Sequence, residues 1–148
     1  MNKKEFVLAA LSASDHEASY TPVQLQKLFF LIDKNLEGEF EGCPFFNFQP
    51  YHYGPFDKEV YRYTNELEID GLIETFKRDN SYVKNYKLTS EGFDHGRKLL
   101  DNLNHEVKDY VENLNAFVRR LSFSELISSI YKSYPSMKVN SIFQENAG

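Results

Sequence analysis

The sequence predicts a mainly α-helical chain with one small β-hairpin, an α+β class, and three observations carry that prediction. Apolar residues recur at helical spacing in five segments, which is the primary signal of amphipathic helices. Two helix starts are written out as capping boxes, Thr21 with Gln24 and Ser122 with Glu125. A single pair of short apolar segments, 72–76 and 82–86, flanks a turn. With 148 residues, 41% hydrophobic and 26% charged, the chain is expected to be one globular domain spanning 1–148.

The first helix is expected over 4–13, with Phe6, Val7, Ala10 and Leu11 on one side. After a polar loop at 15–17, Thr21 caps a second helix, Pro22 takes its first position, and the stripe Leu25, Leu28, Phe29, Ile32, Leu36 runs toward Gly38. An acidic loop, 37–42, precedes the aromatic stretch Phe45–Gln49, read as an irregular edge strand between Pro44 and Pro50. Tyr53-Gly54-Pro55-Phe56 reads as a turn. A third helix is expected over about 57–70, with Phe56, Val60, Tyr63 and Leu67 on one face and Gly71 ending it. The hairpin follows, turning near Asp79-Asn80. A long helix then starts at Thr89 or Ser90. Its stripe Leu100, Leu103, Val107, Tyr110, Leu114, Phe117, Leu121 advances by alternating steps of three and four. Ser122 opens a last helix carrying Leu126, Ile127, Ile130 and Tyr134.

This order is that of a winged helix. Asn65–Ile73 looks like a recognition helix running into the first wing strand, and Tyr86-Lys87-Leu88-Thr89-Ser90-Glu91-Gly92 resembles the Y-x-L-T-x-x-G that closes the wing of MarR- and PadR-like regulators. A winged-helix-like core over about 4–92 is therefore expected, with a helical extension over about 93–143. A second resemblance covers about residues 5–92. Leu25-Gln26-Lys27-Leu28-Phe29-Phe30 followed by Tyr53-Gly54-Pro55-Phe56-Asp57-Lys58-Glu59-Val60-Tyr61 is similar to the Panacea (SocA-like) antitoxin-type domain, with Phe30 standing where that family often has Tyr. That resemblance implies a prokaryotic or phage origin and a role in toxin neutralisation or regulation; it does not imply an enzymatic activity.

Charge divides the chain. The net charge of -5 disfavours a protein held on DNA by bulk electrostatics. From Glu37 to Glu74 there are nine acids and two bases, Lys58 and Arg62, a net of -7. The stretch 77–98 carries +3, mainly from Lys77, Arg78, Lys84 and Lys87 in the hairpin. Phosphate contact draws on Lys and Arg, so an acidic third helix is a poor groove reader, and DNA contact is expected, if anywhere, through the wing. The alternative is a solvated hairpin on a protein-binding module.

Tyr51, His52, Tyr53, Pro55 and Phe56, with Lys58, Glu59 and Arg62 on the third helix, are the candidate partner-binding residues. Amphipathic aromatics suit interface cores and can also stack bases. The competing reading is that the cluster only packs the loop under the third helix. Leu103, Val107, Tyr110, Leu114 and Phe117 form a heptad seam that either pairs two copies as a homodimer or packs within the chain.

Enzyme chemistry has no motif behind it: there is no Gly-rich phosphate loop, no G-x-S-x-G and no H-E-x-x-H. No cofactor and no metal are expected. Asp101, His105 and Asp109 fall at i, i+4 and i+8, a spacing more often found on a hydrated helix face than around an ion. The single cysteine, Cys43, excludes an internal disulfide and sits in acidic surroundings that disfavour its thiolate. No apolar stretch reaches the roughly 20 residues of a membrane span, and a cytoplasmic protein without a targeting signal is expected.

Overall fold

The computed structural model describes residues 1–144. In chain order these form α1 (Lys3–Leu11), β1 (Ser19–Tyr20), α2 (Pro22–Leu36), β2 (Gln49–Tyr51), β3 (Gly54–Phe56), α3 (Glu59–Ile69), β4 (Ile73–Lys77), β5 (Lys84–Leu88), α4 (Ser90–Asp101), α5 (His105–Arg120) and α6 (Phe123–Ser133). A 3-10 turn over Pro135–Lys138 follows. The class is mainly α with small antiparallel sheets, as expected.

Two helices form the centre. In α1, all six residues from Phe6 to Leu11 are buried, because α3, α4 and α5 pack around it. A helix apolar on every side is a core helix, which explains why Leu8 and Ala9 join the expected stripe. Asn2 caps α1 and Glu5 completes a third capping box, placing the helix start at Lys3. In α2, everything from Leu25 to Asp33 is buried, including the polar Gln26, Lys27 and Asp33. The capping boxes at Thr21 and Ser122 both form.

The hairpin β4–β5 forms in the expected place, and β1 joins its outer side, giving the sheet order β1-β5-β4. The two-residue β1 has no periodic signal of its own. It pairs because Tyr20 is buried there, donating from its hydroxyl to the Leu11 carbonyl oxygen at 2.8 Å.

The elements leading into and out of the hairpin meet at its base. Gly71 leaves α3 at φ 78° and permits the reversal into β4. The Thr89 backbone N–H donates to the Leu72 carbonyl oxygen at 3.1 Å, and the Thr89 hydroxyl donates to the Gly71 carbonyl oxygen at 2.8 Å. A Cβ on Gly92 would lie 1.9 Å from the Leu72 oxygen. The L-T-x-x-G segment is thus a backbone clasp: Thr ties the chain and Gly makes room for it.

Several expectations are corrected. The irregular strand expected over Phe45–Gln49 lies instead at Gln49–Tyr51, and the expected Tyr53–Phe56 turn is strand β3, with the reversal at His52-Tyr53. Asp33 accepts from the backbone N–H groups of Phe45 and Phe46 at 2.9 and 3.0 Å and holds the preceding stretch out of strand pairing.

The single long helix is two. Asn102-Leu103-Asn104 breaks it, with the Asn104 side chain capping α5 through a 2.8 Å bond from the Glu106 N–H. Asn competes for backbone hydrogen bonds and favours caps over helix interiors. The heptad spacing therefore crosses a helix boundary. Within α5 the buried stripe is Val107, Val111, Asn115 and Val118, facing α2 and α1, whereas Tyr110 is 45% exposed and Leu114 and Phe117 are half-buried at the rim. Tyr134 ends α6 rather than lying within it.

The aligned ladder of Asp101, His105 and Asp109 does not form either, since the break separates its first member. Asp101 pairs with Lys108 at 2.8 Å and His105 with Asp109 at 3.2 Å. Among the described residues there is no cluster of three or more His, Cys, Asp or Glu placed to hold a metal ion, and no helix long and apolar enough to cross a membrane.

Candidate partner-binding hairpin and the recess beneath it

The stretch between α2 and α3 divides into an inner and an outer part. Phe45 stacks on Phe6, with ring centroids 4.4 Å apart. Phe46 and Phe48 meet Phe29 and Phe30 edge-on at 5.8 and 5.6 Å. These rings belong to the core. Three residues after Phe48 the aromatics turn outward. Tyr51 is 50% exposed and stacks flat on exposed His52 at 4.2 Å, and Tyr53 is 40% exposed and meets Phe123 of α6 edge-on at 5.3 Å. The aromatic region is therefore divided: Phe45, Phe46 and Phe48 pack inward, whereas Tyr51, His52 and Tyr53 are exposed.

The hairpin β2–β3 is held to α2 by polar side chains that α2 buries. Gln26 brackets residue 57: its Oε1 accepts from the Asp57 N–H at 2.9 Å and its Nε2 donates to the Asp57 carbonyl oxygen at 3.0 Å. The Asp57 carboxylate accepts from the backbone N–H groups of Asn47 and Glu59 at 2.8 and 2.9 Å, joining the loop to the start of α3. Lys27, 3% exposed, donates from Nζ to the Pro55 carbonyl oxygen at 3.1 Å. Burial alone pulls its amine down from 10.5 to about 7, with no carboxylate to offset it. At Gly54, φ is 98°, and a Cβ would lie 3.3 Å from the Tyr131 ring of α6. The L-Q-K-L and Y-G-P-F-D stretches are thus two halves of one clamp.

Between α2 and the hairpin lies a recess of about 210 Å³. Val23, Gln26, Lys27, Tyr61 and the hairpin residues Tyr51, His52, Tyr53, Gly54 and Phe56 line it. At Val23 it adjoins a second recess of about 330 Å³, walled largely by apolar groups of Pro22, Val83, Leu121, Phe123 and Leu126.

Most residues expected to face a partner gather here. Tyr51, His52 and Tyr53 are outward, Phe56 is half-buried against Tyr51 and Tyr61, and Pro55 is buried, its role being to present a carbonyl to Lys27. Lys58 is exposed at the start of α3, and Arg62 pairs with Glu59 at 3.2 Å along the same helix. Gln26 and Lys27 were not among the expected site residues. Their signal is local: the run Leu25–Ile32 is otherwise apolar, so α2 has no solvent face for them.

The β4–β5 hairpin spends much of its positive charge internally. Lys87 pairs with Glu17 at 2.8 Å, Lys84 lies 4.0 Å from Glu68 and over the Tyr86 ring, and Arg78 reaches Ser19 at 3.4 Å and covers Phe76. Lys77 is exposed on β4, opposite Lys84. Cys43 donates to Asp33, and burial together with that carboxylate pushes its thiol up to about 12, far from a reactive thiolate.

No family model matches the chain, and no curated protein matches it in sequence.

Proposed function

We propose that the protein is a non-enzymatic binding module of antitoxin or regulator type. It has a winged-helix-like core and docks a protein partner, a toxin or a regulatory protein, on the β2–β3 hairpin. One observation carries this reading: exposed Tyr51 and Tyr53 stand on a hairpin fixed from below by Gln26, Lys27 and Asp57. Exposed aromatics on a rigid support lose little entropy on binding, and such residues dominate interface energetics. The L-Q-K-L and Y-G-P stretches that resemble the Panacea (SocA-like) domain are the same stretches that build this clamp.

Capture on the immobilised chain tests the reading. A partner from the native host is expected to be retained by the wild type and lost at least tenfold by Tyr53→Ala, with the melting temperature unchanged. A partner retained equally by wild type, Tyr53→Ala and Phe56→Ala would overturn it. Contact with DNA through the β4–β5 hairpin ranks below this reading, because Lys84 and Lys87 already face Glu68 and Glu17. A sequence-selective gel shift at about 50 mM salt that Arg78→Glu abolishes would reverse the ranking.

A further inference from the structure

Lys27 is a buried amine with a single hydrogen-bond acceptor, the Pro55 carbonyl oxygen at 3.1 Å. A lysine amine has three donors when charged, and a buried cation is costly unless it is paired. The titratable groups around the recess are Tyr51, His52, Tyr53 and Tyr61, with Tyr131 packed against neighbouring Gly54. The carboxylate of Asp57, directly after β3, is occupied by two backbone N–H groups. Burial alone lowers the Lys27 amine, and among the described residues no carboxylate raises it in compensation. Among the described residues the recess thus has aromatic walls, the basic amine of Lys27 at its inner side, and no anion. Its volume, about 210 Å³, suits one large side chain rather than a helix. The adjoining apolar groove of about 330 Å³ offers a path along which more chain can lie, past Val23.

We infer that the recess receives the C-terminal end of a partner polypeptide: its last, apolar side chain enters among Tyr51, Phe56 and Tyr61, its terminal carboxylate pairs with Lys27, and its preceding apolar residues lie along the groove beside Val23 and Phe123. A chain end brings its carboxylate to the recess with backbone on one side only, whereas an acidic side chain carries the backbone past the mouth on both sides. The inference rests on the reading of this face as protein-binding and names the part of the partner that it grips.

Fluorescence polarisation with the full chain tests it. The probes are N-terminally fluorescein-labelled hexapeptides of apolar sequence ending in Phe, Tyr, Leu or Val. Each is made as the free acid, as the C-terminal amide, and as the amide with one internal Glu. At least one free acid is expected to bind ten or more times tighter than its amide. Lys27→Met should abolish that preference. Val23→Glu, a change at a half-buried position, should weaken the acid at least tenfold by placing a like charge at the junction. Equal affinity of acid and amide throughout the panel, or no binding up to millimolar concentration, overturns the inference. So does an internal-Glu amide that matches the acid, or unlabelled phenylacetate that displaces the peptide as well as an unlabelled copy does, because the ligand would then be an acidic side chain or a small carboxylate. A captured partner that depends on Tyr53 but is indifferent to blocking of its C-terminus overturns the chain-end assignment alone and leaves the binding face standing.

Discussion

At the scale of single residues, Lys27 couples the candidate site to stability. Its amine titrates near 7 in the folded chain and at 10.5 when unfolded. Between those values the unfolded state holds more protons, so the stability of the folded state rises with pH. The steepest slope for one group is about 1.4 kcal/mol per pH unit. Above about pH 8.5 the unfolded Cys43 thiol begins to ionise, whereas the folded one is pushed up to about 12, and this second group lowers stability as pH rises. The clean window is therefore about pH 7 to 8.5. Lys27→Met keeps most of the volume and removes the charge. It should be more stable than the wild type at pH 6, by roughly 2–4 kcal/mol, since replacing a buried unpaired charge by an apolar group of similar size removes a desolvation cost. The gap should narrow by about 1 kcal/mol per unit across the window. Urea unfolding of both proteins at pH 6, 7 and 8.5 reads this directly, and a gap that stays constant across those values would contradict the assignment of the buried amine.

At the scale of elements, two contacts decide how the helices seat. The start of α4 lies against the base of the β4–β5 hairpin, where the Gly92 Cα faces the Leu72 carbonyl group, and Gly96 lies against Leu8 and Ser12 of α1. The three atoms nearest an added Cβ at Gly92 are all Leu72 backbone, and backbone cannot rotate out of the way as a side-chain tip can. Gly92→Ala should therefore cost about 2–4 kcal/mol, the upper range for overpacking, although alanine is the better helix former by roughly 1 kcal/mol. Gly38, which has nothing within 4 Å of an added Cβ but sits at φ 80°, provides the comparison, since its substitution meets backbone strain alone. Thermal unfolding of Gly92→Ala and Gly38→Ala should rank Gly92→Ala well below the wild type and Gly38→Ala only slightly below it; the reverse order would mean that α4 shifts freely. The other decisive element contact is α2 on the β2–β3 hairpin. There Gln26 and Lys27 act as a clamp from a helix whose every side is buried.

At the scale of the whole molecule, what was legible in the sequence was whatever local chemistry dictates. Thr21 with Gln24, Ser122 with Glu125, the Gly71 exit and the β4–β5 pairing all appear where propensity and capping place them. Hidden were the features set by distant partners. The strand β1 exists only because β5 is beside it, and the inward turn of Phe45 depends on Asp33, twelve residues away. The burial of Lys27 depends on Pro55. The candidate site was half legible: its aromatics stand in one sequence cluster, but the amine and amide that position them come from another helix. The apolar seam after Leu100 is the clearest case of a pattern read correctly and placed wrongly. Its period continues across Asn102–Asn104, yet the fold rotates α5 so that Val107, Val111 and Val118 face inward. This separates two roles that the period alone merges. Val111→Asp places a charge at a fully buried position and should unfold the chain, a loss above about 4 kcal/mol. Tyr110→Glu alters a half-exposed position and should change stability by less than about 0.5 kcal/mol. If two copies associate along this helix, they must use the outer face of Tyr110, Leu114 and Phe117, because Val107 is already spent on the core. Sedimentation velocity of the wild type beside a folded Tyr110→Glu, Phe117→Glu double variant then decides the matter: a dimer in the first and a monomer in the second would place the interface on that face, and identical coefficients would confine the seam to packing within one chain.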